Sequence, residues 1–398
     1  MKILIVNPLK TSCPPKDGHS IHVFYRSYFL KKLAGITSDI VMPKVPNLDN
    51  FWYQAFSKTY TCDIKLENNR LRRIYKMIFS KDIPEVIYNK MDFSCLDFLV
   101  DGLYTYDTIV FEHSYSYYIY EKLADHINKK NIVYWSQNID FLDSKSLIKD
   151  SKSLKSKLFY YLNYQKLKTI EPAYIKKFRK IASVSKYEVD ILRAINNKAK
   201  VYWIPPMLPE FKDLEVKKED IDVLEEKVGK YHHKILFTGI LNKSSNIKAA
   251  IWFGKEVFPL IKKKLKACFI IVGQSPSKEV IEFVDNKEDV FLFKDVESLA
   301  PFYKLSDLVV VPLFNPAGIK LKLLEALKYR KKVVATKEAL LGAGLENTVP
   351  NAQEKEDFAK KCIDVLEGKI DYNIVWNEFE RIYDNKRIVE YTKEVLTY

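Results

Sequence analysis

One pattern constrains the fold more than any other: short apolar runs, each followed by a stretch with helical spacing, recur along the chain. The first half carries "MKILIVNPL", "SDIVMP", "DTIVFEHS" (107–114), "NIVYWSQ" (131–137), "KIASVS" (180–185) and "KVYWIPP" (200–206). A Pro and Gly loop, "TSCPPKDGHS", leads from the first run into a helix at about 19–34. Apolar runs separated by helices indicate a parallel sheet covered on both faces. After "PPMLPEF" (205–211) and a charged, helix-prone connector, the series restarts with "KILFTGI" (234–240), "ACFIIVG" (267–273), "DVFLFKDV" (289–296), "DLVVVPLF" (307–314) and "KKVVAT" (331–336). A proline-rich break followed by a fresh series puts a domain boundary near 208–232. The expected fold class is α/β, with two doubly wound parallel-sheet domains of similar size, which suits a chain of 398 residues.

The bulk numbers narrow the partners. Hydrophobic residues make up 47% of the chain and aromatics 14%, enough for well-filled cores, and no apolar run is long enough to span a bilayer. The opening "MKILIVNPL" is too short for a secretory signal and reads as a strand. Cys13, Cys62, Cys95, Cys268 and Cys362 are far apart and odd in number, which argues against a disulfide framework or a zinc knuckle and for a cytoplasmic location. A net charge of +14 fits nucleic acid, anionic lipid or a phosphorylated small molecule, although no nucleic-acid recognition motif appears. Between 141 and 180, eleven Lys or Arg stand against three Asp or Glu, with seven aromatics interleaved. Such a segment can lie on an anionic membrane face, or it can be a solvated helical face whose rings pack inward.

In doubly wound sheets, ligands sit beyond the carboxyl ends of the strands, so the residues just after each run carry the chemistry. "NPAGIKLKLLEAL" (315–327) follows one such run and enters a helix at about Gly318. A helix start offers unpaired amides and a positive dipole end, and Gly318 lets the backbone approach a phosphate closely. Lys320 and Lys322 in a first turn are unfavourable unless an anion is present, and Lys322 shares a face with Glu325. The competing reading is a plain amphipathic helix with Leu323, Leu324 and Leu327 inward and the lysines solvated.

The neighbouring motifs favour the anion site. "ILFTGILNKSSNIKAAIWFGKEVFPLI" (235–261), "FIIVGQSP" (269–276), "VFLFKDVESLAPFYKLSDLVVVPL" (290–313) and "AGIKLKLLEALKYRKKVVATKEALLG" (317–342) together resemble the donor-binding domain of GT-B fold glycosyltransferases, and most closely glycosyltransferase family four (glycosyl transferases group 1). The resemblance implies a GT-B fold: two Rossmann-like domains facing a central cleft, the first (1–207, completed by a C-terminal helix at about 385–398) binding the acceptor and the second (208–384) the nucleotide-sugar donor. It implies that amides near Gly318 and Ile319 hold the donor diphosphate with Lys320, that Glu325 binds the ribose hydroxyls, that Asp295 and Val296 lie along the base, and that Gly239 faces the phosphates. The chain also departs from the family. Ala317 stands where many relatives have a first glutamate on the donor sugar, and Ile240 and Ser244 replace an arginine and a lysine, with Lys243 and Asn246 nearby. The phosphate charge would then rest mainly on Lys320 and Lys322.

The first domain resembles the family less closely. "PPKDGHSIHVFYRSYFLKKLA" (14–34) is similar to its first glycine loop and helix, where Gly18 would leave room for donor phosphate and acceptor. His113 in "FEHSYS" and Asn138 and Asp140 in "WSQNID" each follow a strand. A strand-end histidine can hydrogen-bond a sugar hydroxyl, and Asp140 is either a cleft carboxylate or a helix N-cap. His19 and His22 are further candidates. The residues expected at the reaction itself are His113, Lys320 and Gly18, with His19, Asn138 and Asp140 on the acceptor side.

The resemblance implies transfer with retention of configuration to a saccharide or lipid-linked acceptor, in synthesis of bacterial surface polysaccharide or glycoconjugate. A helix start with lysines supplies positive charge where the diphosphate leaves, and with no DxD motif in a plausible cleft loop, neither metal nor other cofactor is expected. The place of action would be the cytoplasm, with the inner face of the plasma membrane as the candidate surface. Two other classes share the fold: a nucleotide-sugar epimerase, and a catalytically silent nucleotide-binding module, which Ala317 and Ile240 make conceivable.

Overall fold

A computed structural model of the chain describes every residue except 16, 46–47, 65–68, 93–96, 128–130, 152, 211–215, 217, 315–317 and 398. The chain divides into two compact units, Met1–Leu208 with Tyr383–Tyr398, and Pro209–Ile382.

The first unit holds a seven-stranded parallel sheet built from β1 (Lys2–Val6), β2 (Thr37–Pro43), β3 (Phe56–Cys62), β4 (Thr108–Glu112), β5 (Asn131–Ser136), β6 (Lys180–Ser183) and β7 (Lys200–Trp203), in the order β3-β2-β1-β4-β5-β6-β7. The second holds β8 (His233–Thr238), β9 (Ala267–Gly273), β10 (Val290–Lys294), β11 (Leu308–Val311) and β12 (Lys332–Ala335), in the order β10-β9-β8-β11-β12. Strands β4, β9 and β11 are buried along their whole length, as central strands covered by helices on both faces must be. That is why they read as unbroken apolar runs. Each sheet reverses its strand order once, between β1 and β4 in the first unit and between β8 and β11 in the second. The pairings there are in register through Leu4 beside Ile109 and Ile235 beside Leu308.

Several local features differ from the sequence reading. Strand β3 was not anticipated: it is an edge strand whose sequence, FSKTYTC, leaves Ser57, Lys58 and Thr61 to solvent, so it lacks an apolar run. Its last residue, Cys62, is disulfide-bonded, although the spacing of the cysteines argued against a disulfide framework; Cys13, Cys268 and Cys362 are free, and Cys95 lies outside the described residues. The helix expected from about Gly318 begins at Leu321. Its cap residue is Lys320, so only Lys322 lies in the first turn.

The helix Gly18–Ala34 starts behind Asp17, whose carboxylate accepts from the Ser20 amide at 3.0 Å. The C-terminal helix Asn385–Thr397 packs on it. The Leu396 carbonyl accepts from Thr108 Oγ1 (2.7 Å) and Asn131 Nδ2 (2.6 Å), which ties that helix to the amino ends of β4 and β5.

Candidate functional site

The strand-order reversal is where a doubly wound sheet opens a crevice at its carboxyl edge, and each unit carries a polar cluster there. In the second unit, β8 ends at Thr238 and the chain passes through Gly239 before the helix Ser244–Trp252. Lys322, from the first turn of the helix after β11, reaches across: its Nζ donates to Asn246 Oδ1 at 2.9 Å and stands 4.3 Å above the Phe237 ring. Asn246 in turn donates to the Ile240 carbonyl at 2.9 Å. A Cβ at Gly239 would come within 2.7 Å of Lys322 Nζ and 2.9 Å of Asn246 Nδ2, so the glycine is what leaves room for this pair.

Burial lowers the Lys322 ammonium to a pKa of about 7; Glu325 works to raise it, while Lys320 and Lys243 lower it further. Three lysines thus act on one another where a single carboxylate offsets them, which is a site short of negative charge. Lys320 caps the helix and donates to the Gly318 carbonyl at 3.0 Å; Gly318 has a φ of 64°. Ile319 beside it is half-buried, and Lys243 is exposed at the cap of the Ser244–Trp252 helix. Ala317 lies outside the described residues.

Glu325, one turn further on, accepts from the Tyr303 hydroxyl at 3.2 Å, and that hydroxyl also lies 3.2 Å from Thr238 Oγ1. Tyr303 is buried and stacks on Tyr329 with centroids 4.8 Å apart. Burial raises the Glu325 pKa, against the opposing pull of Tyr303 and Lys322. Tyr303 was missed in the sequence, because a tyrosine in "APFYKL" is indistinguishable from a core ring. Asp295 belongs to a separate contact: at a φ of 53° it donates its amide to the Gly273 carbonyl (3.0 Å) and accepts from the Ser275 amide (2.9 Å), joining the ends of β9 and β10. Val296 follows, half-buried.

In the first unit, the structure brings together His19, His113 and Asp140. His113 turns the chain out of β4 at a φ of 55°. Its Nε2 is 3.0 Å from His19 Nδ1, and its Nδ1 is 3.6 Å from Asp140 Oδ1. Asp140 also accepts from the Ser114 amide at 3.2 Å and from the Ser114 hydroxyl. It is not the cap of its own helix: Ile139 holds the cap position. Glu171 instead accepts from the Asp140 and Phe141 amides at 3.0 and 2.8 Å, which frees the Asp140 carboxylate to face His113. Asn138 is half-buried and uses its carbonyl to accept from Ser136 Oγ at 3.1 Å, and Gly18 is the first residue of the helix that carries His19.

Partners that the sequence reading missed decide the tautomers. Gln137 Nε2 donates to Glu112 Oε2 at 3.0 Å, and Glu112 is buried in an ion pair with Arg26, whose guanidinium lies 4.1 Å over the Trp135 ring. The Gln137 carbonyl therefore faces His19 Nδ1, at 3.2 Å, and favours a proton there as long as His113 is neutral and accepts at its Nε2. With the proton on Nδ1, His19 Nε2 holds a lone pair, buried and without a protein partner. Burial first, then the charge of His113, holds the His19 pKa down to about 3, and burial with Arg26 does the same for His22. Burial works against a charged His113, but the nearby Asp140 and Glu112 carboxylates outweigh it and raise its pKa. The arrangement offers an incoming hydroxyl an acceptor on a neutral imidazole, with a second imidazole and a carboxylate behind it.

Residues 232–368, the span that carries the lysine cluster, match the model of the family described as glycosyl transferases group 1. An uncharacterized 44.6 kDa protein in the cps region of Klebsiella pneumoniae is 25% identical over 297 residues, 71% of this chain and 72% of that protein. Among solved structures, Anabaena Alr3699/HepE in complex with UDP and glucose superposes with a TM-score of 0.65 at 13% identity, covering 100% of this chain and 99% of that one. WaaG, a glycosyltransferase involved in lipopolysaccharide biosynthesis, gives 0.61 at 13% identity, covering 99% of both chains. Residues 232–368 thus match the glycosyl transferases group 1 family, and the chain as a whole has the GT-B fold of these structures.

Proposed function

We propose that the chain moves a sugar from a nucleotide-sugar donor to a saccharide or lipid-linked acceptor, in the synthesis of a bacterial surface polysaccharide or glycoconjugate. The observation that carries this is Lys322 beside the space left by Gly239, with Lys320 and Lys243 close enough to depress its pKa, in a segment with the group 1 family signature. A diphosphate there relieves the mutual repulsion of the lysines, and their charge stabilises it further as it leaves, with no metal needed. Glu325, held by Tyr303, is placed one turn away to accept from ribose hydroxyls, and Gly318, Ile319, Asp295 and Val296 complete the donor side. His113, His19, Asn138 and Asp140 serve the sugar and acceptor hydroxyls, and the sugar keeps its anomeric configuration. The complex of the Anabaena relative makes UDP the first nucleotide to test. The cps-region relative and WaaG support the polysaccharide setting; the place of action in this reading is the inner face of the plasma membrane.

Calorimetric titration with UDP, GDP, dTDP and CMP, then with their sugars, tests the reading. One diphosphate should bind, and Lys322→Met should weaken it by about 1.5–3 kcal/mol, the worth of a charge-assisted hydrogen bond. Equal binding by wild type and variant would remove the lysine cluster from the donor site. The paired histidines also supply the acid and base that an epimerase needs. Donor turnover without any acceptor would favour that reading; turnover that requires an acceptor and persists in EDTA supports the metal-independent transferase.

A further inference from the structure

The helix Arg70–Phe79 in the first unit has no buried residue. Its sequence, RLRRIYKMIF, places Leu71, Ile74, Tyr75, Ile78 and Phe79 at spacings of three and four, along one side. That side faces solvent: Leu71 is 78% exposed, Tyr75 64% and Phe79 70%. Arg70 and Arg72 flank that side and are exposed, Lys76 lies further round, Arg73 and Met77 are half-buried on the side toward the protein, and the helix contains no acidic residue. Asn69 caps it, accepting from the Leu71 and Arg72 amides at 3.0 and 3.1 Å, so the helix is anchored at its start.

We infer that this helix docks the protein on an anionic lipid surface, lying in the headgroup plane with its apolar side down and the flanking Arg70 and Arg72 reaching phosphates. An amphipathic helix whose apolar side is exposed and whose polar residues are all cationic has the composition of an interfacial helix. A second copy of the chain fits less well. Facing two such helices brings like charges together, and ten residues span only about 15 Å, too little for the roughly 800 Å² per partner of a stable dimer. A second element of the same unit carries a similar stripe. The segment after the helix is clamped to the helix Leu154–Ile175 by Lys166, whose Nζ donates to the Ser80 and Asp82 carbonyls at 2.8 and 2.9 Å. Exposed Leu154, Leu158 and Tyr161, with Lys155 and Lys157 among them, form a second stripe there.

This inference rests on the membrane side of the proposed function, and it names the element that makes the contact. It is tested by co-sedimentation of the full chain with phosphatidylglycerol and phosphatidylcholine vesicles, set against vesicles of phosphatidylcholine alone. Wild type should bind the anionic vesicles, more weakly as salt rises, and Leu71→Ser with Tyr75→Ser and Phe79→Ser should bind at least about tenfold more weakly. The triple variant removes no buried contact, so its melting temperature and UDP affinity should match wild type. Loss of UDP binding in wild type would count against the donor site and leave the vesicle result standing. Failure of wild type to bind anionic vesicles, or equal binding by the triple variant, overturns the inference. So does sedimentation showing a wild-type dimer that the triple variant converts to monomer.

Discussion

Lys322 shows how a single side chain can be tuned by its surroundings. With its pKa brought down to about 7, the group sits at the point where a bound anion decides its charge. A diphosphate stabilises the ammonium and raises that pKa again. Below about pH 7 the free protein already carries the proton, so binding requires no proton uptake. Above it, the free lysine is neutral and must gain a proton, and the affinity for UDP should fall by up to about tenfold per pH unit until the pKa of the complex is passed. From about pH 8 the diphosphate itself is essentially fully ionised, so the slope there belongs to the protein. Titrations in buffers of different ionisation enthalpy should show proton uptake above pH 7 in wild type and none in Lys322→Met; a wild-type affinity that does not change with pH would rule this account out. The two histidines run the other way. His19 and His22 are held near pKa 3 against 6.5 for the free side chain, so their contribution to stability is complete above about pH 6.5 and is lost as pH falls toward 3.

At the scale of elements, what could be read in the sequence was whatever depends on local pattern. The buried runs "ACFIIVG" and "DLVVVPLF" became β9 and β11 because strands covered on both faces have nowhere to place a polar residue. Strand β3 escaped because one edge of it is wet. Helix starts blurred by a few residues, and this matters at Lys320, which turned from a first-turn residue into a cap bonded to Gly318. Partners far apart in the chain were not legible at all: Tyr303 on Glu325, Gln137 on His19, and Glu171 at the helix start of Asp140 each join segments that only the fold brings together. Gly239 connects the two levels, since its role could be guessed from its place after a strand but its reason lies in Lys322 and Asn246. In Gly239→Ala the new methyl would meet only the far ends of two flexible side chains, so the variant should fold, with a melting temperature close to wild type. It should nevertheless displace the ammonium and lose about tenfold or more in UDP affinity. Calorimetry and thermal unfolding together check this; unchanged affinity would mean that the lysine does not act from its observed position.

At the scale of the whole molecule, the chain leaves the first unit at Leu208 and returns to it at Tyr383, so the first unit is completed only by residues 383–398. Asn385 closes that return by donating to the Leu208 carbonyl at 2.8 Å and accepting from the Leu208 amide at 3.2 Å. Beyond it, Ile388, Val389, Val395 and Leu396 are buried. Truncating Leu396 removes packing that nothing else can supply, at a cost of about 2–5 kcal/mol, and the cost should fall on the first unit alone. UDP should act on the second, raising its unfolding temperature by mass action. Scanning calorimetry of Leu396→Ala should therefore show one transition moved down and insensitive to UDP, and another at its wild-type position that UDP moves up. If UDP restored the lowered transition, the two units would have to unfold as one, and the second unit could not then be treated as a nucleotide-binding domain in its own right.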